Sequence, residues 1–137
     1  MSYLQLIIVG NLGKEPETRY TPNGTQVTSL NVATNRKYTE SSGQVAKETT
    51  WVRVSVFGKA AAPCAEYLHK GSEVLVEGRL TPDKDTGSPR VYQRPDGTYG
   101  SSYEMIANVV RFLGSSGGGQ QQQQATSPQT EADDTPF

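Results

Sequence analysis

Among 137 residues the chain has one cysteine, one histidine and one tryptophan. A lone Cys64 excludes an internal disulfide framework and fits a reducing compartment; its expected place is a small core position. A lone His69 cannot build a paired-imidazole site, and it stands where a helix C-terminus would favour it. No Cys/His cluster has metal-ligand spacing, and there is no Gly-x-Ser-x-Gly elbow and no phosphate-cradling glycine loop. The acids are scattered, mostly beside bases. The residues therefore support neither an enzyme nor a metal or cofactor. No apolar run approaches the roughly 20 residues of a membrane span. Met1-Ser2-Tyr3-Leu4-Gln5 lacks the basic-then-apolar pattern of a signal peptide. A soluble, cytoplasmic protein is expected.

A large excess of base is missing too, since the net charge is −1. That figure averages two unlike parts. All 13 Lys and Arg lie in residues 1–113 against 11 acids, leaving +2, whereas Glu131, Asp133 and Asp134 give the rest −3. A weakly cationic body with an anionic end is compatible with a polyanionic partner and with competition from that end. The two parts also differ in apolar content. Between Gly114 and Pro128 no side chain is both apolar and larger than alanine, so this stretch cannot offset the entropy of ordering its backbone. Residues 1–113 are read as one folded domain and 114–137 as a disordered Gly/Ser/Gln-rich linker. The linker ends in Asp133-Asp134-Thr135-Pro136-Phe137, an acidic-apolar peptide suited to being held by a partner.

Within the body, residues 3–9 are apolar on both alternating faces, so such a strand must be covered twice. Gly10-Asn11-Leu12-Gly13 is expected to break it. Pro22-Asn23-Gly24 marks a turn between a short segment at 17–21 and a long strand at 27–38. Ser41-Ser42-Gly43 is a loop tip. Residues 47–57 form the clearest strand, with Val52, Val54 and Val56 on one face and Trp51, Arg53, Ser55 and Phe57 on the other. Ala61, Cys64, Ala65 and Leu68 predict a helix over 59–70, with Pro63 in its first turn and Gly71 at its end. Strands follow at 73–80 and 103–113, separated by a polar excursion at 82–97. Three strands, a helix and two more strands suit an all-β, five-stranded Greek-key barrel of the oligonucleotide/oligosaccharide-binding type, with one helix between strands 3 and 4.

The chemistry concentrates on the third strand. Its valine face supplies the core, yet the opposite face carries Trp51, Arg53 and Phe57. Large rings in water beside a guanidinium suit single-stranded nucleic acid, whose unpaired bases stack on aromatic faces while cations meet phosphates. A subunit interface or a second core face is the competing explanation. A second row, Arg90, Tyr92 and Arg94, shares one face of an extended segment and cannot be core; a hairpin that is merely solvated is the alternative to one that lies along nucleic acid. Arg36-Lys37-Tyr38 repeats the mixture, although Tyr38 has the parity of Leu30 and Val32 and needs a bulge or strand end to be exposed.

Taken in order, several segments resemble the bacterial single-stranded DNA-binding protein family over essentially the whole chain. They are Val9-Gly10-Asn11-Leu12-Gly13, Glu17-Thr18-Arg19-Tyr20-Thr21-Pro22-Asn23-Gly24, Trp51-Val52-Arg53-Val54-Ser55-Val56-Phe57-Gly58-Lys59, Glu66-Tyr67-Leu68-His69-Lys70-Gly71-Ser72 and Val76-Glu77-Gly78-Arg79-Leu80, with the acidic ending in Pro136-Phe137. The resemblance implies a homotetrameric, non-catalytic, metal-free coat for single-stranded DNA in replication, repair and recombination. It implies stacking on Trp51, Phe57, Tyr38 and Tyr92, and basic contacts from Arg53, Lys59, Arg19 and Lys70. It also implies docking of replication and repair enzymes on the terminal peptide. Several features depart from the pattern: Tyr38 and Tyr92 stand where tryptophans are common, Thr135 replaces a common aliphatic residue, the 82–97 excursion is long, and the basic residues frequent before the first strand are missing. A protein-binding adaptor is the main alternative from the residues themselves. A nuclease on the same barrel would need clustered carboxylates.

Overall fold

The computed structural model describes residues 1–115, and the acidic terminal peptide lies outside them. Among the described residues, seven strands and one short helix follow in the order β1 (Leu6–Leu12), β2 (Glu17–Tyr20), β3 (Gln26–Thr39), β4 (Val45–Phe57), α1 (Ala61–Tyr67), β5 (Ser72–Thr81), β6 (Arg90–Gln93) and β7 (Tyr99–Ser115). Hydrogen bonding runs β1-β5-β7-β4-β3, and β1 also pairs with β3. That last pairing closes a five-stranded barrel, with α1 between its third and fourth strands. β2 extends the sheet beyond β3, and β6 makes a hairpin with the start of β7.

The alternation expected of the long strands is present. In β4, Val52, Val54 and Val56 are buried while Trp51, Arg53 and Phe57 are exposed. In β5, Val74 and Val76 are fully buried. These valines pack with Ile8, Leu12, Leu30, Val32, Cys64, Leu68 and Met105 in one core. Cys64 holds the expected core position, and burial pushes its thiol up to about 11, so it is an inert packing group.

Three local expectations need correction. β1 starts at Leu6, not residue 3, and it runs through the predicted break. Gly10 is a barrel corner: a Cβ there would overlap the Ala33 carbonyl oxygen. The bare backbone lets β1 leave β5 at Asn11↔Glu73 and join β3 through Asn11↔Ala33 and Leu12↔Val32. The helix is also shorter than predicted. A 3-10 turn covers Gly58–Ala60, and Leu68 has already left the helix with ψ 143°. Leu68 is buried, so the chain unwinds to aim it into the barrel. Gly71 instead closes the following turn, donating its N–H to the Leu12 carbonyl at 2.8 Å. Finally, β7 begins at Tyr99, because the polar excursion is itself a hairpin.

His69 does not simply sit at a helix end. Its Nδ1 lies 3.2 Å from Glu15 Oε1, and the Lys70 backbone N–H donates to Glu15 Oε2 at 2.9 Å. One carboxylate thus ties the β1–β2 loop to the turn before β5. The Lys70 amide, and then the His69 ring, hold the Glu15 carboxyl below its usual range. A depressed carboxyl stabilises the fold above its ordinary pKa, and that contribution is lost as pH falls through the lower folded value. Glu15→Gln is therefore expected to flatten slightly the acid limb of stability, measured by urea unfolding from pH 7 downward. The change is small because the pair is exposed.

Candidate nucleic-acid interface

The residues singled out on β4 and β6 are far apart in sequence but meet in space. A cleft of about 840 Å3 is lined by Trp51 and Arg53 from β4, Pro89, Arg90 and Tyr92 around β6, and Ser101, Ser102, Tyr103 and Glu104 from β7. The reason is topological. β4 pairs in parallel with β7 from Val52↔Tyr103 to Ser55↔Ile106, while the first residues of β7 carry β6. The hairpin therefore overhangs the outer face of β4.

Both principal rings are seated on glycine. A Cβ on Gly13 would stand 2.5 Å from Trp51 Cη2. A Cβ on Gly100, the cross-strand partner of Tyr92, would stand 2.9 Å from Tyr92 Cζ and 2.5 Å from Arg94 Nη2. Trp51 remains 52% exposed and Tyr92 39% exposed. Each ring is thus held from one side and left accessible on another. Arg94 lies 5.6 Å over the Tyr92 ring and donates to the Tyr99 carbonyl at 2.7 Å, so it orders the ring from the hairpin tip. Gly13→Ala is expected to displace the Trp51 ring and to shift its emission maximum. Binding of a dT oligomer should weaken by about three- to tenfold, less than full loss of one stacked base.

Arg53 has no acid within ion-pair distance among the described residues, so its charge is available to a ligand. Its cross-strand partner is Asn31, which also lines the cleft. Beyond the barrel rim the β3–β4 ribbon continues the Trp51 face, and Lys37 and Lys47 stand directly opposite each other there. Like charges in that position repel, an arrangement that a phosphate between them would relieve.

Other predicted residues lie elsewhere. Phe57, 43% exposed, lines a separate hollow of about 500 Å3 with Thr21, Pro22, Asn23 and Thr25 at the β2–β3 turn. Exposed Lys59 follows it in the 3-10 turn. Arg19 donates to Ser29 Oγ at 3.0 Å, and Lys70 stands at the Glu15 tie. Arg36 and Tyr38 do not join the cleft. The β3–β4 register runs unbroken from Val27↔Phe57 to Thr39↔Val45, so they project from the ribbon face opposite Trp51. Tyr38 is exposed because its strand outruns the barrel. Arg36 stacks 4.6 Å from its ring and pairs with Glu48 at 3.2 Å.

Sequence reasoning missed Gly13, Lys47, Gly100, Tyr103 and Glu104. Tyr103 has the parity of buried Met105, so alternation assigns it to the core, yet it is exposed. Lys47 carried a readable signal, being on the Trp51 face of its own strand.

A closed five-stranded β-barrel with one helix between its third and fourth strands is the form of an oligonucleotide/oligosaccharide-binding fold, and its outer face carries accessible rings and cations under an arginine-bearing hairpin. Comparison with known sequences agrees. The profile of the Single-strand binding protein family matches residues 4–113, and the chain belongs to that family. It is 36% identical over 114 residues to the single-stranded DNA-binding protein of Neisseria meningitidis serogroup A, and 40% identical over 113 to that of Xanthomonas campestris pv. campestris. Those alignments cover 83% and 82% of this chain but 62% of each relative's length. Among solved structures, a deletion mutant of the single-stranded DNA binding protein from Thermus aquaticus superposes with a TM-score of 0.64 at 29% identity, covering 84% of this chain and 52% of that one. The Plasmodium falciparum SSB complex with ssDNA gives 0.67 at 23% identity, over 82% and 97%; this second likeness concerns the fold alone.

Proposed function

We propose that the chain is a non-catalytic, sequence-tolerant coat for single-stranded DNA, acting in replication, repair and recombination. The observation that carries this reading is the meeting of Trp51, Arg53, Arg90 and Tyr92, from two distant segments, in one open cleft. Bases stack on Trp51 and Tyr92, and further along on Phe57. Arg53, Lys37, Lys47 and Lys59 meet phosphates, with Arg94, Arg19 and Lys70 in supporting positions. Arg36 and Tyr38 serve a strand that wraps to the other ribbon face. Stacking needs a π-face rather than a particular base edge, so sequence matters little.

The outer face of β1 supports self-association into a homotetramer. Ile7 and Val9 stand 58% and 47% exposed there, with Tyr3 and Leu4 exposed nearby. Two β-branched apolar side chains side by side on a strand's solvent face suit burial against a second copy. The terminal residues 133–137 would recruit replication and repair enzymes in the cytoplasm. Removing them is expected to leave DNA affinity unchanged or slightly higher while abolishing partner capture.

Binding of a labelled dT oligomer and of a duplex of equal length, each titrated over a salt series, tests the reading. The single strand should bind far more tightly, with log affinity falling by about 0.7 per phosphate contacted for each tenfold rise in salt. Equal affinity for the duplex, or no binding of either, overturns it.

A further inference from the structure

One charge in the cleft has the wrong sign for this ligand. Glu104 lies in the wall beside Trp51, Arg53 and Tyr92, where a polyanion must pass. Its Oε2 accepts from Ser102 Oγ at 3.0 Å and lies 3.5 Å from Arg90 Nη1. Glu104 is also the parallel-strand neighbour of Arg53. Two donors, one cationic and one neutral, therefore converge on a single carboxylate oxygen, with a second guanidinium on the adjacent strand.

Structural work alone explains this carboxylate poorly. An ion pair at 3.5 Å, with the Arg90 side chain 55% exposed, contributes little to stability. The hairpin is already fixed by its ladder from Arg90↔Ser102 to Gln93↔Tyr99. What the geometry does resemble is anion recognition, since a cation and a hydroxyl meeting at one oxygen suit a phosphate oxygen equally well.

We infer that Arg90 and Ser102 form a subsite for a backbone phosphate, and that Glu104 fills it as an internal stand-in while the cleft is empty. The inference rests on the single-strand-binding reading and extends it. Glu104 keeps Arg90 and Ser102 oriented toward the cleft. It must yield when a phosphate arrives, which lowers affinity and makes the coat easier to remove. Because the exchange involves the backbone, the effect is independent of base identity.

The test uses the full chain and its Glu104→Gln, Arg90→Ala and Ser102→Ala variants, plus the Arg90→Ala/Glu104→Gln double variant. Each is titrated with dT, dC and dA oligomers across a salt series, with melting recorded in parallel. Glu104→Gln is expected to tighten all three oligomers alike, by about fivefold near 0.1 M salt, and to steepen the salt slope by about 0.7, one phosphate contact. In the Arg90→Ala background that gain should shrink to about twofold or less. Ser102→Ala, which changes no charge, should weaken binding by about two- to threefold, and it serves as the test if Glu104→Gln does not fold. Unchanged or weaker binding by folded Glu104→Gln overturns the inference, as does a gain undiminished without Arg90. So does a gain confined to one base, which would make Glu104 a base reader, or unchanged binding by Ser102→Ala. Failure of the unsubstituted chain to bind any oligomer overturns the underlying reading itself.

Discussion

Replacing Trp51 by alanine is expected to weaken binding of a dT oligomer by about tenfold or more. A base stacked on an aromatic ring contributes roughly 1–3 kcal/mol, and Trp51 is the largest ring in the cleft and the only tryptophan in the chain. The loss should fall on binding and not on folding. The ring is 52% exposed and rests on Gly13, outside the buried core. Trp51→Phe keeps a π-face and should recover most of the affinity, whereas Trp51→Leu keeps apolar area without one and should not. Equilibrium titration of the three variants separates stacking from simple hydrophobic contact. Equal affinities for phenylalanine and leucine would show that the π-face is not what the ligand uses.

Leu30→Ala should act on the opposite property. Leu30 lies on β3 at 1% exposure, paired with Val54 and packed among the valines of β4 and β5. Truncating a buried leucine costs about 2–5 kcal/mol, because the removed atoms leave both a lost transfer term and a cavity. β3 is tied to β4 by an unbroken ladder and on its other edge to β2 and then β1, so the site has little freedom to collapse. Urea unfolding at matched protein concentration measures the loss, which should fall near the upper half of that range. Where the variant is still folded, its affinity for DNA should be close to that of the unsubstituted chain, since Leu30 faces away from the cleft. A cost below about 1 kcal/mol would mean that the wall relaxes into the space.

These two residues also mark what the amino-acid order makes legible. Alternation is a local property. The spacing of Val52, Val54 and Val56 against Trp51, Arg53 and Phe57 is enough to reveal both the core face and the exposed, ring-bearing face. The Arg90 and Tyr92 row is legible for the same reason, being too polar to bury. The closing of the barrel is not local. It depends on Gly10, where β1 changes partner, and on Gly78, where a Cβ would overlap the Ile106 carbonyl oxygen beside a register shift in β5–β7. In sequence both glycines read as breaks or as weak points in strands.

Tyr38 shows the limit from another side. Its chemistry matched the ring-and-cation pattern, but its parity placed it across the ribbon from Trp51, and the unbroken register kept it there. Residue type alone could not put it in the cleft. The helix was legible but its end was not, for a related reason. Its apolar stripe was real, with Ala61, Cys64 and Leu68 all buried. Leu68, however, reaches the core from an extended backbone, so its burial counted toward a helical period to which it does not belong. Glu104 was unreadable because its meaning comes from Arg90, Ser102 and Arg53, which only the β4–β7 and β6–β7 pairings bring beside it.

The central claim is that unpaired bases lie against Trp51 in this cleft, and the emission of that tryptophan tests it most directly. No other indole contributes to the signal. Titration with a dT oligomer at low salt should quench the emission in proportion to binding, and added salt should restore it as the complex dissociates. Unchanged emission at an oligomer concentration shown by an independent assay to saturate the protein would mean that DNA binds elsewhere, and would contradict the account.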